Sequence, residues 1–181
     1  MSELLRYRRE RLPLRLVLTV SLLLAAAAAI AVSSYGWTAL LWNLVLAALM
    51  FVQFRIWDDL ADIERDRDEF PGRVLCNVSQ RTPFWFAVVG FFMTAGLGIL
   101  CLKSQVSAIT FGALNMLFLL WYHAIRRFFG RLLNVIAVLA KYPAFVFVIA
   151  DAPIQYRART ATIVSVVYVG ACLYEVLHNK R

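Results

Sequence analysis

Cysteine is scarce in this chain and widely spread. The 181 residues contain Cys76, Cys101 and Cys172, and no two of them have the spacing of a metal finger or a redox pair. They read as free, packed thiols. Basic clusters interleaved with aromatic residues outside apolar segments are also missing. The net charge of +8 therefore does not describe a nucleic-acid surface, and no nucleic-acid partner is expected. No internal repeat marks the chain as a small transporter. Carboxylates are few. Of the eleven, seven fall between Asp58 and Glu69, directly after the apolar run 40–54.

What the chain has in quantity is apolar length. Hydrophobic residues make up 62% of it and the mean hydropathy is +0.71, too apolar for a water-soluble protein. Repeated apolar stretches of about 18 residues or more are the mark of membrane helices. The expected fold is all-α, a polytopic membrane helical bundle of about six transmembrane helices. Residues 1–15, with Arg6, Arg8, Arg9, Arg11 and Arg15, read as a basic cytoplasmic tail. Residues 16–181 read as one transmembrane helical domain. The spans are expected at 16–33, 37–57, 83–102, 106–124, 132–150 and 160–177. A basic start, an apolar run and Ala27-Ala28-Ala29 also fit a signal peptide, and Arg8-Arg9 a twin-arginine signal. The first run is long enough to cross a bilayer, which favours an uncleaved span.

Breaks and polar residues divide the spans. Ser33-Ser34-Tyr35-Gly36 is a turn without charge, and Pro71-Gly72 stops a helix. Pro83 suits a first helical turn. Gly90, Gly96 and Gly98 are small positions that permit close helix packing, and Asn115 suits an interhelical hydrogen bond. Asn134 and Lys141 lie in the fifth span. A lysine there must face a polar cavity, a carboxylate or an anionic ligand. Tyr142-Pro143 predicts a kink or break.

Charge sets the expected orientation. With the N-terminus inside, the cytoplasmic side holds the tail arginines, Arg55, Arg65, Arg67, Arg73, Arg81, Arg126, Arg127, Arg131, Lys180 and Arg181. The other side holds only Lys103, Arg157 and Arg159. This asymmetry fits six helices with both termini cytoplasmic. It also brings the acidic stretch and the Tyr122–Arg126 segment to one side.

On a helix, Asp59, Asp62 and Asp66 fall within roughly 60° of one another, with Asp58 on the flank. Unneutralised carboxylates on one stripe repel. A hard divalent cation would relieve this, and Mg²⁺ commonly takes one or two carboxylates plus phosphate oxygens. The competing reading is a solvated acidic loop balanced by Arg65, Arg67 and Arg73. Arg55 can pair with Asp59 one turn on. Tyr122 and Arg126, also one turn apart, suit either a phosphate contact or an interfacial tyrosine with inside arginines. His123 reads as an interfacial side chain.

Asp58-Asp59-x-x-Asp62-x-x-x-Asp66 resembles the first aspartate-rich motif of the UbiA-type intramembrane prenyltransferases, with Asp58 where that family has Asn. The likeness continues through Arg67, Pro71, Arg73 and Leu75. It departs at Phe70, Val74 and Val78. Tyr122-x-x-x-Arg126 is similar to the family's Tyr-x-x-x-Lys. The resemblance implies Mg²⁺-dependent transfer of a prenyl chain from a prenyl diphosphate to a lipophilic, quinone-type acceptor. Asp59, Asp62 and Asp66 would be catalytic residues that hold the metal. Arg73, Tyr122, Arg126 and Lys141 would bind diphosphate. Membrane lipid would surround the protein, with the bacterial inner membrane the expected location.

Family members carry a second aspartate-rich motif on later helices. Here Glu175 and Asn179, with His178 between them, are its only counterpart. A half-size member, a shortened sequence, or an oligomer or partner subunit completing the site would each account for this. A non-catalytic UbiA-like protein that binds an isoprenoid or a partner enzyme is the alternative. A CDP-alcohol phosphotransferase is disfavoured, because Ile63 follows Asp62 where that family has Gly.

Overall fold

The computed structural model describes residues 3–32 and 36–178, apart from the side chains of residues 131, 176 and 178. The expected turn at 33–35 and the terminal Asn179, Lys180 and Arg181 lie outside the described residues. The fold is an all-α helical bundle, with no strand among the described residues. In chain order the helices are α1 (Glu3–Arg11), α2 (Leu14–Val32), α3 (Trp37–Ala61), α4 (Ile63–Glu69), α5 (Thr82–Leu102), α6 (Gln105–Leu120), α7 (Arg131–Leu139), α8 (Lys141–Ala150) and α9 (Arg157–His178).

Five segments are long and apolar enough to cross a membrane: Leu14–Val32, Trp37–Ala61, Thr82–Leu102, Gln105–Phe128 and Leu132–Ala150. The sixth expected span forms α9, of 22 residues. It has the length, about 33 Å at helical rise. It opens on Arg157 and Arg159, ahead of the apolar stretch 160–177.

α3 is the central helix, packed by α2, α5 and α8. Its buried residues Asn43, Leu46, Ala47, Met50, Gln53, Phe54 and Trp57 recur every three or four positions, the helical period. α2, packed against α3, α8 and α9, buries Ser21, Leu24, Ala25, Ala28 and Ala31, four of them small. Side chains this small let two backbones approach, which is how helices gain packing where lipid is as apolar as leucine. The outward faces carry Leu18, Leu22, Leu23, Leu97 and Leu100. In a bilayer these contact acyl chains. Gly98 permits a close approach, since a Cβ there would lie 2.9 Å from the Leu46 side chain. Gly96 would gain only an ordinary contact and Gly90 none within 4 Å, so the expected packing role falls on Gly98. Gln53 donates to Asn115 across α3 and α6, and Asn115 donates back to the Phe111 carbonyl. Asn115 is thus the interhelical bridge its position suggested.

Several details differ from the expected pattern. The basic tail is not loose: residues 3–11 form α1, and Tyr7 is 1% exposed. The acidic stripe does not lie on one uninterrupted helix. Asp62 leaves helical geometry at φ −92°, ψ 0° between α3 and α4, although Asp62 N–H still reaches the Asp58 carbonyl and Asp66 N–H the Asp62 carbonyl. The fourth span ends in a wide π turn over Trp121–Ile125 and a 3-10 turn over Arg126–Phe128. Cys101 is exposed rather than packed.

The fifth span breaks at Ala140, between α7 and α8. Pro143 explains the place: it has no N–H to offer the carbonyl one turn before it. Lys141 therefore starts a helix instead of sitting inside one.

At the end of the bundle away from the acidic stretch, Asp151 adopts a left-handed conformation (φ 46°) and terminates α8. There its carboxylate accepts from the Ser104 amide at 2.9 Å, the Ser107 hydroxyl at 2.8 Å and the Ser104 hydroxyl. Lys103 donates to Asn43 and to the Ile149 carbonyl, both at 2.7 Å.

Candidate functional site

The end of α3 carries carboxylates in several directions, and each meets a cation from elsewhere in the chain. Asp58 accepts from the Lys141 ammonium at the start of α8 and from the Tyr122 hydroxyl in the π turn. One turn on, Asp62 accepts from Arg126, and from Arg65 at 2.9 Å. Asp58 at the end of α3 and Asp62 at its junction with α4 thus meet Tyr122 and Arg126, one turn apart at the end of the fourth span. The π turn widens the helix where Tyr122 has to reach Asp58; such turns often occur at functional sites.

Asp59 points to α1. Arg11 donates to both of its oxygens, at 2.9 and 2.8 Å, and the Tyr7 hydroxyl donates at 2.8 Å. Arg55 stands 3.7 Å away, the one-turn pair expected from spacing. Burial, reinforced by the adjacent Asp59 charge, pushes the Tyr7 phenol far above the tyrosine range, so it stays a donor. The hydrogen bonds to Asp59, working against burial, hold Arg11 above the ordinary arginine range. Asp66, on α4, pairs with Arg73. α1 is tied down further where the Val74 amide donates to Glu10 at 3.0 Å and the Ser79 amide to Glu3 at 3.4 Å.

These groups surround one cavity of about 240 Å³. Its charged wall holds Arg11, Arg55, Arg65, Arg73, Arg126 and Lys141 with Asp58, Asp59, Asp62 and Glu175. Its apolar wall holds Val135, Val138, Leu139 and Tyr142 from α7 and α8. Of the expected site residues, Asp59, Asp62, Arg73, Tyr122, Arg126 and Lys141 line it. Asp66 does not, and reaches it only through Arg73. The residues that sequence reasoning left aside are Asp58, given only a flank, and Tyr7 and Arg11 of α1. Tyr7 was the available signal: a single aromatic ring among arginines at helical spacing.

Lys141 is 3% exposed and Asp58 9%. Removing one partner of such a pair leaves an uncompensated charge, which costs about 3–5 kcal/mol. Three buried atoms on the wall have no hydrogen-bond partner among the described residues: Arg55 Nε, Arg65 Nε and Asn134 Oδ1.

The donor set can be set against the expected Mg²⁺. Among the described residues, no three of the acidic, histidine or cysteine side chains gather into a group able to hold a metal. Asp58, Asp59 and Asp62 are each engaged by cations of the chain, and the Asp66 oxygen that lacks a partner belongs to a residue outside the cavity wall. The residues as arranged do not form a cage for Mg²⁺.

Comparison with known proteins adds no relative: no family model, no curated protein and no solved structure matches the chain.

Proposed function

We propose that the chain is a UbiA-like integral membrane protein that seats the head of a prenyl diphosphate in this cavity and transfers the prenyl chain to a lipophilic acceptor. The observation that carries the reading is a single cavity with a cation-rich wall facing an apolar one. That is the chemistry of an amphiphile with an anionic head. A volume of about 240 Å³ lies below the roughly 300–1,000 Å³ of a site for a whole drug-sized ligand. It suits a head group whose tail leaves along α7 toward lipid.

In this reading Arg73, Arg126 and Lys141 hold diphosphate oxygens, and arginine provides the planar fork that phosphate favours. Charge grows on the bridging oxygen as the allylic carbon–oxygen bond breaks and its electron pair passes to diphosphate. Fixed cations in a dry site stabilise that charge. The allylic cation is then attacked by a carbon of the acceptor, which loses a proton. The excess of basic residues at this end of the bundle supports a reading in which it faces the cytoplasm, with both termini, in a bacterial inner membrane.

One observation favours the second reading, a protein that binds the isoprenoid without turnover. The single carboxylate that α9 brings to the cavity wall is Glu175. A partner subunit or second copy supplying further acidic groups would restore transfer. Radiolabelled prenyl transfer by the purified chain, with Mg²⁺ and a panel of quinone-type acceptors, separates the readings. Transfer by wild type that is lost in a folded Lys141→Met/Asp58→Asn variant supports the enzyme. Binding of prenyl diphosphate without transfer to any acceptor supports the binder. Failure of both binding and transfer defeats the proposal.

A further inference from the structure

We infer that the cavity takes the phosphate head directly on guanidinium and ammonium donors, with no divalent cation between ligand and carboxylate. This rests on the prenyl diphosphate reading and adds how the head is held. The first observation is the state of the carboxylates. Arg11 occupies both oxygens of Asp59, and Tyr7 adds a third donor. Asp62 is shared by Arg65 and Arg126. A cation reaching these oxygens would have to displace guanidinium forks and shed its own water, which Mg²⁺ does reluctantly.

The second observation is the kind of atom left over. Arg65 Nε is buried at the wall without a hydrogen bond, and Arg55 Nε, also without one, stands 3.7 Å from Asp59 in an ion pair. Both are N–H donors. A metal ion cannot satisfy them, whereas a phosphate oxygen can.

The third is charge. Six cationic side chains line the cavity against four carboxylates, an excess of two positive charges. Including Asp66, which pairs with Arg73 from behind the wall, still leaves an excess of one. A site built to recruit Mg²⁺ needs the opposite sign before the ligand arrives. An anion entering here substitutes for carboxylates as the acceptor of guanidinium hydrogen bonds, and needs no bridging ion.

The test is equilibrium binding of labelled farnesyl diphosphate, with inorganic pyrophosphate as competitor, to the full chain in phosphatidylcholine nanodiscs. It is run in EDTA and in Mg²⁺ at fixed ionic strength. The expected result is saturable, pyrophosphate-competed binding in EDTA, changed by less than about threefold when Mg²⁺ is added. Asp62→Asn gives an opposite sign for the two mechanisms. Removing a negative charge tightens metal-free binding by about threefold or more, and weakens binding that runs through a carboxylate-held ion. The wild-type EDTA arm needs no variant, so a misfolded Asp62→Asn protein leaves the inference testable. Binding seen only with Mg²⁺, or lost in a folded Asp62→Asn, overturns the inference and leaves the prenyl diphosphate reading standing. No binding in either condition overturns both.

Discussion

The two ends of this bundle use similar groups to different effect. At one end Asp151, in the turn after α8, closes on the Ser104 amide and the Ser104 and Ser107 hydroxyls, while Lys103 donates to Asn43 and a carbonyl. One carboxylate ties the end of α8 to the beginning of α6. At the other end, Asp58, Asp59 and Asp62 meet more cations than they can neutralise, around a cavity, with two guanidinium N–H groups left without a hydrogen bond. The first arrangement is local, as a helix cap should be, beside a cavity of about 300 Å³ whose charged lining is Asp151 and Arg157. The second holds two buried donors and a positive excess in reserve, which helix packing alone does not require. In the proposed reading the Asp151 end is architectural and the Asp58 end binds the ligand.

The largest effect expected is at Lys141. Lys141→Met should lower the stability of the folded bundle by about 3–5 kcal/mol, because Asp58 is left buried and charged. Adding Asp58→Asn should restore most of the loss, since two neutral groups need no compensation. Thermal unfolding of both variants in detergent checks this; equal stability of the single and double variants would break the assigned pair. Asp151→Ala should cost about 2–3 kcal/mol, the value of hydrogen bonds to a charged acceptor, and should leave farnesyl diphosphate affinity unchanged. A fall in affinity would erase the distinction between the ends. Gly98→Leu should destabilise by about 1–3 kcal/mol through overpacking against Leu46, read by the same unfolding assay, again without an effect on binding.

The smallest effect is in pH. Burial raises the Asp151 pKa, but the Ser104 and Ser107 hydroxyls, the Ser104 amide and the nearby Lys103 outweigh it, and the net shift is downward. A carboxyl with a depressed folded pKa contributes stability that is fully present above the unfolded value of about 3.9 and fades as pH falls through the folded value. Lys103 keeps its charge over that range. The wild-type unfolding temperature should therefore fall in that acid window more steeply than that of Asp151→Asn. Parallel curves would remove Asp151 from the cap.

Much of the bundle was readable from residue type and spacing. A lysine inside an apolar run has few tolerable surroundings, so the position of Lys141 alone pointed to a carboxylate or an anion. Pro143 fixed the neighbourhood of the α7–α8 break, because a missing N–H acts locally. The Arg55–Asp59 pair followed from one turn of helix. Other features depend on contacts between distant segments. Nothing local bends the chain at Asp62, since residues 59–69 contain neither Gly nor Pro; the bend lets Asp62 meet Arg126. The docking of α1 is not legible locally because residues 3–11 are strongly polar on average. Their partners, Asp59, Val74 and Ser79, lie far along the chain. The same distance hid the main part of Asp58. A helical wheel placed it beside the stripe, and only the position of α8 shows that it faces Lys141.

The central claim is that the cation-rich end of the bundle holds a diphosphate head. The dissociation constant of farnesyl diphosphate for wild type and for Arg65→Gln/Arg126→Gln, measured side by side in nanodiscs, tests it most directly. Loss of two guanidinium groups from the cavity should weaken binding by about tenfold or more, since each hydrogen bond to a charged group is worth about 1.5–3 kcal/mol. Equal affinity in a folded double variant would contradict the claim.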